Sequence, residues 1–461
     1  MAIYLMIVRN KFNGENFVEL GDTGIKDVEN ILSKARVASR EMRNLPSYER
    51  YELLFTVSKE LEKRREEFAR IISTEAGKPI KYSRGEARRA SLTMLFSAEE
   101  SKRMYGETIP MDVEARGKNR FAFYNRVPVG IIYSITPFND PLNLVAHKAG
   151  PALAAGNALI NKPASLTPYS GYMLNKLVDE AGFPANAMQT VVASGGGEVS
   201  NFFLNADEIK MVTFTGGVEA ADRLVRKAGV KKYSMELGSN SPVIVWDDAN
   251  LETAAEAVVD AAMEAQGQNC IHSQRILIKD NIYKEFSGKI VELTSRLKVG
   301  DPLNDSTDIG PMISEGEAVR VENEVSAAEK DGAEVLIGGK RNGSLFQPTV
   351  VQKVNHKSSL WHKEIFGPVT VLQSVGNFDE ALRMANDVPY GLQAGIYTSN
   401  LDLAMKAVNE LDFGAVLVND TSDFRVDVMP FGGMKKSGLG REGIRFSMEE
   451  MTEIKLAIFR R

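Results

Sequence analysis

The stretch GIIYSITPFNDPLNLVAHKAGPALAAGNALIN, residues 130–161, holds two short apolar runs separated by a longer alanine-rich one. Residues 130–136 predict a β-strand, residues 141–155 an α-helix and residues 158–161 a second strand. The alternation continues with a helix at 168–181, a strand at 190–193, a helix at 199–205 and a strand at 211–214. Strands that alternate with helices form a parallel, doubly wound sheet, so the predicted fold class is α/β.

The rest of the chain predicts a second sheet and two accessory regions. A second alternating block has strands at 243–245, 276–278 and 369–372. Residues 26–105 carry a helical period that predicts two or three amphipathic helices. Their apolar stripe starts at Val28, Ile31, Leu32, Ala35 and Val37. Alternation in residues 106–128 predicts a hairpin or extended arm, and residues 453–459 predict a final strand with an apolar edge suited to pairing.

The bulk composition excludes several classes of protein. The chain has 461 residues, 43% of them hydrophobic and 25% charged, with a formal net charge of −5. A mildly acidic chain is not expected to bind nucleic acid, and no apolar run reaches membrane-span length. A single cysteine excludes internal disulfides and fits a reducing, cytoplasmic location. The four histidines show no metal-ligand spacing, so no metal site is predicted.

That single cysteine ends the stretch EAQGQNC, residues 264–270. The alanine-rich run before it predicts a helix opened by Asp247, Asp248 or Asn250, and the apolar run after Arg275 predicts a strand. Gly267 allows a tight turn, so Cys270 can stand clear of its neighbours. A thiol at such a junction is well placed to act as a nucleophile, although a free cysteine is more often a small buried hydrophobe.

Polar and glycine-rich loops follow the strands of the first predicted sheet. Ligands bind at the carboxyl ends of such strands, and a phosphate could sit on the amides of Gly216 and Gly217 at a helix N-terminus. The first turn lacks the dinucleotide-binding pattern G-x-G-x-x-G. The loops are Thr136-Pro137-Phe138-Asn139, Asn161-Lys162-Pro163-Ala164-Ser165, Ser194-Gly195-Gly196-Gly197 and Phe214-Thr215-Gly216-Gly217.

Seven motifs together resemble the aldehyde dehydrogenase superfamily over nearly the whole chain. They are Pro137-Phe138-Asn139, Asn161-Lys162-Pro163, Phe214-Thr215-Gly216, Glu236-Leu237-Gly238, Gly267-Gln268-Asn269-Cys270, Glu364-Ile365-Phe366-Gly367-Pro368 and Pro430-Phe431-Gly432-Gly433. The resemblance implies a modified Rossmann cofactor-binding domain at residues 1–105 and 129–236 and a catalytic domain at 237–424. It also implies an oligomerisation arm and tail at 106–128 and 445–461, and a homodimer or homotetramer.

The resemblance also implies roles for individual residues. Cys270 would be the nucleophile, Glu236 the base that activates the deacylating water, and Asn139 the side chain of the oxyanion hole. Lys162 would contact the adenosine ribose, and Glu364 with Phe366 would hold the nicotinamide end of NAD or NADP. The remaining expected cofactor contacts are Thr136, Pro137, Phe138, Ser165, Phe214, Thr215, Gly216, Gly217 and Leu237.

Two departures from the family pattern bear on the cofactor. Gly217 replaces the usual serine after Gly216, and the family's second glycine falls near Ala221, so the pyrophosphate contacts are expected to be looser. Ser165 stands where relatives that prefer NAD often carry a glutamate. A serine removes charge repulsion against a 2′-phosphate and Lys162 would attract one, so NADP is expected to be slightly favoured over NAD.

The predicted substrate contacts are Asp140, Asn143, Phe424 and Arg425. Asp140 replaces an aromatic or apolar residue of the family's aldehyde tunnel, and residues 419–425 are unusually polar. Both features favour a small hydroxylated or anionic aldehyde, of the lactaldehyde, glyceraldehyde or glyceraldehyde 3-phosphate type. Arg425 could hold a phosphate or carboxylate by a bidentate contact, or it could simply pair with Asp140 or Asp427.

Three other functions remain open from the sequence. The same fold could transfer the acyl group to coenzyme A, although Glu236 argues against this because that chemistry needs no water-activating base. A cysteine acyltransferase or hydrolase would need a histidine partner for Cys270, and His272 is poorly placed for it on a strand. A catalytically silent protein could also use the fold. The predicted activity is NAD(P)-dependent oxidation of the aldehyde to its carboxylic acid.

Overall fold

The computed structural model describes residues 5–194 and 196–460. Gly195, part of one predicted polar loop, lies outside these ranges. The helices of the described ranges are α1 (Val28–Asn44), α2 (Ser47–Lys63), α3 (Arg65–Ala76), α4 (Ile80–Ser101), α5 (Asn143–Ala154), α6 (Tyr169–Glu180), α7 (Gly196–Asn205), α8 (Val218–Ala228), α9 (Leu251–Met263), α10 (Tyr283–Ser295), α11 (Glu315–Lys330), α12 (Ser359–His362), α13 (Phe378–Asn386), α14 (Leu401–Glu410) and α15 (Ile444–Glu450).

The strands belong to two large sheets, one three-stranded sheet and two hairpins. They are β1 (Leu5–Arg9), β2 (Asn16–Gly21), β3 (Glu107–Ile109), β4 (Arg120–Pro128), β5 (Ile131–Ile135), β6 (Ala158–Lys162), β7 (Met188–Thr190), β8 (Ile209–Gly216), β9 (Lys232–Leu237), β10 (Ser241–Val245), β11 (Ser273–Lys279), β12 (Glu334–Ile337), β13 (Arg341–Asn342), β14 (Leu345–Phe346), β15 (Thr349–Gln352), β16 (Val369–Val375), β17 (Gln393–Tyr397), β18 (Ala415–Val418), β19 (Gly438–Leu439) and β20 (Thr452–Arg460).

The first large sheet has the order β19-β9-β8-β5-β6-β7 and is parallel from β9 to β7. The predicted α/β alternation is therefore confirmed. The strand predicted at 190–193 is wrong, because β7 ends at Thr190. Val191 to Ala193 are apolar because they are buried against neighbouring elements beside the sheet, with Val192 packed on the β1–β2 hairpin.

The second large sheet has the order β12-β15-β16-β11-β10-β17-β18 and is parallel except for its edge strand β12. Its predicted strands are confirmed within β10, β11 and β16. Of the three candidate helix caps, Asn250 opens α9, where its side chain accepts hydrogen bonds from the N–H groups of Glu252 and Thr253. These strands carry the chain into and out of the loop that holds Cys270.

The N-terminal region forms four helices where two or three were predicted. Pro46 comes directly before α2, and Gly77, at φ 73°, ends α3 because only a residue without a side chain adopts that backbone easily. Val28, Leu32 and Ala35 are buried as expected, but Val37 is 56% exposed. Val37 lies two residues beyond Ala35 and therefore points away from the stripe.

The predicted arm and tail pair with each other. β20 runs antiparallel along the whole of β4, and β3 pairs with the other edge of β4. Ile454, Leu456, Ile458 and Phe459 are exposed on β20. Assembly into a homodimer or homotetramer, like the exact domain boundaries, stays a prediction. Among the described residues, no helix combines the length and apolarity needed to cross a membrane.

Candidate active site

The loop before Cys270 has an unusual backbone. Ala265, Gln266 and Gly267 all have positive φ, at 49°, 58° and 63°. A Cβ on Gly267 would lie 2.1 Å from the carbonyl oxygen of Gly367, so only glycine allows this approach. The side chain of Gln266 offsets the strain by donating hydrogen bonds of 2.8 Å to the carbonyls of Gly77 and Pro311.

Cys270 itself is half-buried at the end of this loop. Burial raises the pKa of its thiol well above the usual range, and the charge of Glu364 adds to that shift while Arg425 opposes it. No described residue accepts a hydrogen bond from the Cys270 backbone N–H. The free protein therefore holds a neutral thiol beside an unused backbone donor.

Cys270 and Asn139 line one cavity of about 320 Å³. Asn139 reaches it from the loop after β5, and three predicted substrate residues, Asp140, Phe424 and Arg425, lie on its wall. The structure adds charged side chains that the sequence did not single out. Those charged residues are Lys78, Lys81, Glu86, Arg89, Glu264 and Asp423.

Glu236 is buried at the end of β9, and neither of its carboxylate oxygens has a hydrogen-bond partner among the described residues. A Cβ on Gly432 would lie 3.0 Å from its Oε1, so the glycine leaves room beside the carboxylate. Burial raises the pKa of Glu236 well above its usual range, and the negative charge of Glu442 raises it further. A buried, unpaired carboxyl with a raised pKa has the properties of a general base waiting for a water.

A buried ion network adjoins this carboxylate. Glu442 pairs with Lys148 and, at 2.8 Å, with Arg425. Burial opposes ionisation of Glu442, but the two cations hold its pKa well below the usual range. The alternative that Arg425 pairs with Asp140 or Asp427 is wrong, because its guanidinium forms an ion pair with Glu442. The guanidinium carbon also lies 3.8 Å from the centre of the Phe431 ring.

Asn143 does not line the cavity, so the prediction that it contacts the substrate is corrected. It is fully buried, accepts a hydrogen bond of 2.9 Å from Thr93 and lies 3.4 Å from Asp427. Asp427 also accepts hydrogen bonds from Arg89 at 3.0 Å and contacts His147 at 2.8 Å. Asn143 therefore supports the carboxylate that holds Arg89 in position.

Asp140 lines the cavity but is paired with Lys78, which also contacts Glu86 at 2.5 Å. Glu86 in turn accepts hydrogen bonds from the N–H groups of Leu142 at 2.9 Å and Asn143 at 3.2 Å. The first N–H groups of a helix have no partner within the helix. Glu86, which lies on α4, therefore caps the start of α5. Burial opposes ionisation of Asp140, but Lys78 and Arg89 lower its pKa.

The expected cofactor residues meet at one edge of the first sheet. The register pairs Ile135 with Phe214 and Thr215 with Glu236, which brings the ends of β5, β8 and β9 together. Gly217 is the cap of α8. Thr136, Pro137, Phe138 and Leu237 share this edge, whereas Ser165 lies exposed in the loop after β6.

Lys162 fits a phosphate or ribose ligand. Its ammonium has no hydrogen-bond or ion-pair partner within the described ranges, and burial lowers its pKa. A Cβ on Gly196 would lie 2.8 Å from its Cε, so the glycine at the start of α7 makes room for the lysine. The buried hydroxyls of Thr136 and Thr215 and the buried amide nitrogen of Asn161 also lack partners among the described residues. These unpaired groups fit a polar ligand such as a dinucleotide.

A second cavity, of about 540 Å³, is lined by Gly217, Glu364 and Phe366. Glu364 accepts a hydrogen bond of 3.0 Å from the Ser239 N–H, and burial raises its pKa to about 7. The rings of Phe366 and Phe138 meet edge to face at 5.6 Å. Gly367, which follows Phe366 in the chain, lies against the turn at Gly267. The segment of Phe366 and Gly367 therefore connects this cavity with the loop that holds Cys270.

Sequence reasoning missed Lys78, Glu86 and Arg89, because the helical period of residues 26–105 predicts amphipathic helices and does not show which charged residues are buried. One signal was present for Glu86, which falls on the buried stripe of α4 with Ala87 and Ala90. His272 is buried with its Nε2 unpartnered among the described residues. It shares no hydrogen bond with Cys270 and therefore does not support a cysteine hydrolase.

Comparison with known proteins agrees with this geometry. The model of the aldehyde dehydrogenase family matches residues 4–457. A 3-sulfolactaldehyde dehydrogenase of Priestia aryabhattai is 44% identical over 98% of this chain and 94% of its own length. A lactaldehyde dehydrogenase of Methanococcus maripaludis is 37% identical over 96% and 95%. The crystal structure of glyceraldehyde-3-phosphate dehydrogenase GapN from Methanocaldococcus jannaschii, complexed with NADP, superposes with a TM-score of 0.95 at 36% identity, covering 99% of both chains.

These matches run through every motif from Asn139 to Gly433, and the structure brings Cys270 and Asn139 to one cavity with the Glu236 carboxylate buried nearby. The resemblance drawn from those motifs is confirmed, and this chain belongs to the aldehyde dehydrogenase family.

Proposed function

We propose that this protein oxidises a small aldehyde bearing a hydroxyl or an anionic group, such as lactaldehyde or a three-carbon phospho- or sulfo-aldehyde, to its carboxylic acid. The observation that carries the proposal is the cavity around Cys270, which is small and has eight charged residues among the 19 that line it. A fatty or aromatic aldehyde would strip water from these charges without replacing their contacts. Relatives named for 3-sulfolactaldehyde and lactaldehyde support the same class of substrate.

In this mechanism the Cys270 thiol releases its proton to water, and its sulfur adds to the aldehyde carbon to form a thiohemiacetal. The developing oxyanion accepts hydrogen bonds from the Asn139 side chain and the Cys270 backbone N–H, donors typically worth about 2.7–4 kcal/mol each. NAD or NADP, when bound, supplies the hydride acceptor, and Lys162, Glu364 and Phe366 are the residues proposed to hold it. Loss of hydride from the thiohemiacetal carbon then leaves a thioester on Cys270. Glu236 then takes a proton from water, and the resulting hydroxide hydrolyses the thioester on Cys270.

Two guanidinium groups are proposed to bind the anionic end of the substrate. Arg89 and Arg425 lie on the same cavity wall, and the buried Nε of each has no partner among the described residues. Arg89 pairs with Asp427 at 3.0 Å through Nη2 and lies 3.8 Å from Asp140 through Nη1. Arg425 pairs with Glu442 through Nη2. The remaining N–H donors can therefore meet a phosphate, sulfonate or carboxylate.

Replacing Arg89 with Gln should lower kcat/KM for glyceraldehyde 3-phosphate by about 10- to 100-fold, because one charge-assisted contact is lost. For neutral lactaldehyde the change should stay within about threefold. Arg88→Gln, an exposed change one residue earlier on α4, is the matched control and should leave both values near wild type. Arg89 is a cleaner probe than Arg425, whose removal would also take one of the two paired cations from Glu442 beside Glu236. Equal effects on the charged and neutral substrates would exclude an anion-binding role.

We also propose that NADP is accepted and slightly preferred. Ser165 is exposed in the loop after β6, and Lys162, at the end of that strand, has an unpaired ammonium. No carboxylate at position 165 repels a 2′-phosphate, and a related structure complexed with NADP supports acceptance of that cofactor.

Ser165→Glu should lower kcat/KM with NADP about tenfold or more, because the new carboxylate repels the 2′-phosphate, while the value with NAD changes by less than about threefold. Leu166→Glu places the same charge at the neighbouring exposed position and serves as the control. Initial rates at several concentrations of each cofactor measure the effect. A wild-type preference for NAD of more than about tenfold would contradict the proposal.

A further inference from the structure

One carboxyl group of the substrate cavity is not used by the mechanism above. Asp423 lies in the loop after β18 and lines the same cavity as Cys270. Its Oδ1 accepts a hydrogen bond of 2.6 Å from the side chain of Asn269, the residue directly before the nucleophile. Asn269 is held in turn because its own Oδ1 accepts a hydrogen bond of 3.1 Å from the Ile271 N–H. Asp423 is thereby tied to the loop that presents the thiol.

The other oxygen of this carboxyl group has no such partner. Oδ2 of Asp423 is buried, and no described residue forms a hydrogen bond with it. Two other carboxylates of the cavity wall are paired, Asp140 and Glu86 both with Lys78. A buried polar atom without a partner costs free energy unless a ligand or water completes its hydrogen bond. Asp423 therefore has an unused hydrogen-bonding position beside the nucleophile.

We propose that Oδ2 of Asp423 hydrogen-bonds the hydroxyl group on the substrate carbon next to the aldehyde carbon. That carbon is the first atom beyond the one that bonds to Sγ, so its substituent lies close to the loop at Asn269. Burial and the charge of Glu264 raise the pKa of Asp423 well above its usual range. A hydroxyl both donates and accepts, so it can pair with either the protonated or the ionised carboxyl group.

This inference rests on the proposed function and assigns different groups of the substrate to different residues of the site. Arg89 and Arg425 would bind the anionic end of the substrate, and Asp423 would select aldehydes that carry a 2-hydroxyl group. A site built to bond a hydroxyl discriminates strongly against the analogue that lacks it, because the polar group of the protein then stays buried and unpaired.

The test compares lactaldehyde with propanal, which differs only by the missing hydroxyl. Wild-type protein should favour lactaldehyde in kcat/KM by about 10- to 100-fold. Asp423→Ala should reduce that ratio to within about threefold of unity. Asp423→Asn keeps an oxygen for Asn269 and places an N–H donor at the position of Oδ2, so it should restore most of the ratio. Asp420→Asn changes a carboxyl of the same loop that does not line the cavity, and it should leave the ratio near wild type.

The ratio of kcat/KM for lactaldehyde to that for propanal distinguishes a role in substrate selection from a role in holding the loop in place. If Asp423→Ala lowered kcat/KM for lactaldehyde and for propanal by the same factor, Asp423 would only position Asn269 and Cys270, and the proposal would be overturned. A wild-type ratio near unity, or a ratio unchanged in Asp423→Ala, would overturn it as well. If wild-type protein oxidised neither lactaldehyde nor any other small hydroxylated or anionic aldehyde, the proposed function itself would have failed, and this inference with it.

Discussion

Cys270→Ser should lower aldehyde-dependent reduction of NAD(P) by about 10⁴-fold or more, the largest effect expected in this protein. A serine hydroxyl is a far weaker nucleophile than a thiol, and the residue that would have to activate it, Glu236, is better placed to serve a water. No second cysteine can substitute, because Cys270 is the only one in the chain. The rate is measured as absorbance of the reduced cofactor, with lactaldehyde and glyceraldehyde 3-phosphate as substrates.

Binding and folding controls accompany this measurement. Cys270 packs only at the edge of a small cluster with Ile271, Leu392 and Phe431, so the change to serine should shift Tm by no more than a few degrees. Affinity for NADP, followed by quenching of protein fluorescence, should stay within about threefold of wild type. Residual turnover above about a tenth of the wild-type rate would rule out Cys270 as the nucleophile.

Glu236→Gln should separate the two halves of the reaction. Cys270 can still attack the aldehyde and the thiohemiacetal can still lose its hydride to the cofactor, so one equivalent of reduced cofactor should form rapidly, while steady-state turnover falls about 10²- to 10⁴-fold because water is no longer activated. Rapid mixing measures the burst, and mass spectrometry of the quenched protein should find the acyl group on Cys270. Glu264→Gln, a carboxyl of the substrate cavity, is the matched control and should show neither a burst nor a slow phase.

The burst experiment also tests the coenzyme A alternative. If coenzyme A restored rapid turnover to Glu236→Gln and also accelerated the wild type, the acyl group would be passing to a thiol. The proposed hydrolysis would then be wrong. If steady-state turnover of Glu236→Gln equalled wild type, Glu236 would not be the base. Glu236→Gln should fold like wild type, because neither oxygen of Glu236 has a hydrogen-bond partner among the described residues that the substitution could remove.

The raised pKa of Glu236 sets the direction of the pH dependence. The base acts only when ionised, so the hydrolysis step should speed up with rising pH into a range above that of an ordinary glutamate. For stability the sign is opposite. A folded pKa above the unfolded one means that stability is lost as pH rises, so Glu236→Gln should raise Tm relative to wild type more at about pH 8 than at about pH 5.

The proposed specificity of this protein rests on the charged residues of its substrate cavity. The NAD(P)-dependent oxidation of an aldehyde follows from the family. The proposed identity of the aldehyde rests on Arg89, Asp423 and Arg425, which line the substrate cavity. The tests of Arg89 and Asp423 above therefore address specificity, and those of Cys270 and Glu236 address the chemistry.

Local patterns in the chain were sufficient for the main elements of the fold. Strands β5, β6 and β8 are short apolar runs between helices, and burial on both faces of a parallel sheet requires such runs. The turn at Gly267 and the single cysteine after it were also readable, because both depend on residues adjacent in sequence. Boundaries failed where burial came from neighbouring elements, as at Val191 to Ala193, which are apolar without extending β7.

The sequence by itself determined the α/β class and the family motifs, since these follow from residue type and local spacing, and the resemblance carried by those motifs gave the roles expected of Cys270, Glu236 and Asn139. Only the tertiary structure decided which charges meet. Arg89 on α4 reaches the loop of Arg425 across 336 residues of chain, and Arg425 pairs with Glu442 where Asp140 or Asp427 had been expected. Coulomb interactions depend on distance in space and on burial, and neither is recorded in the order of residues along the chain.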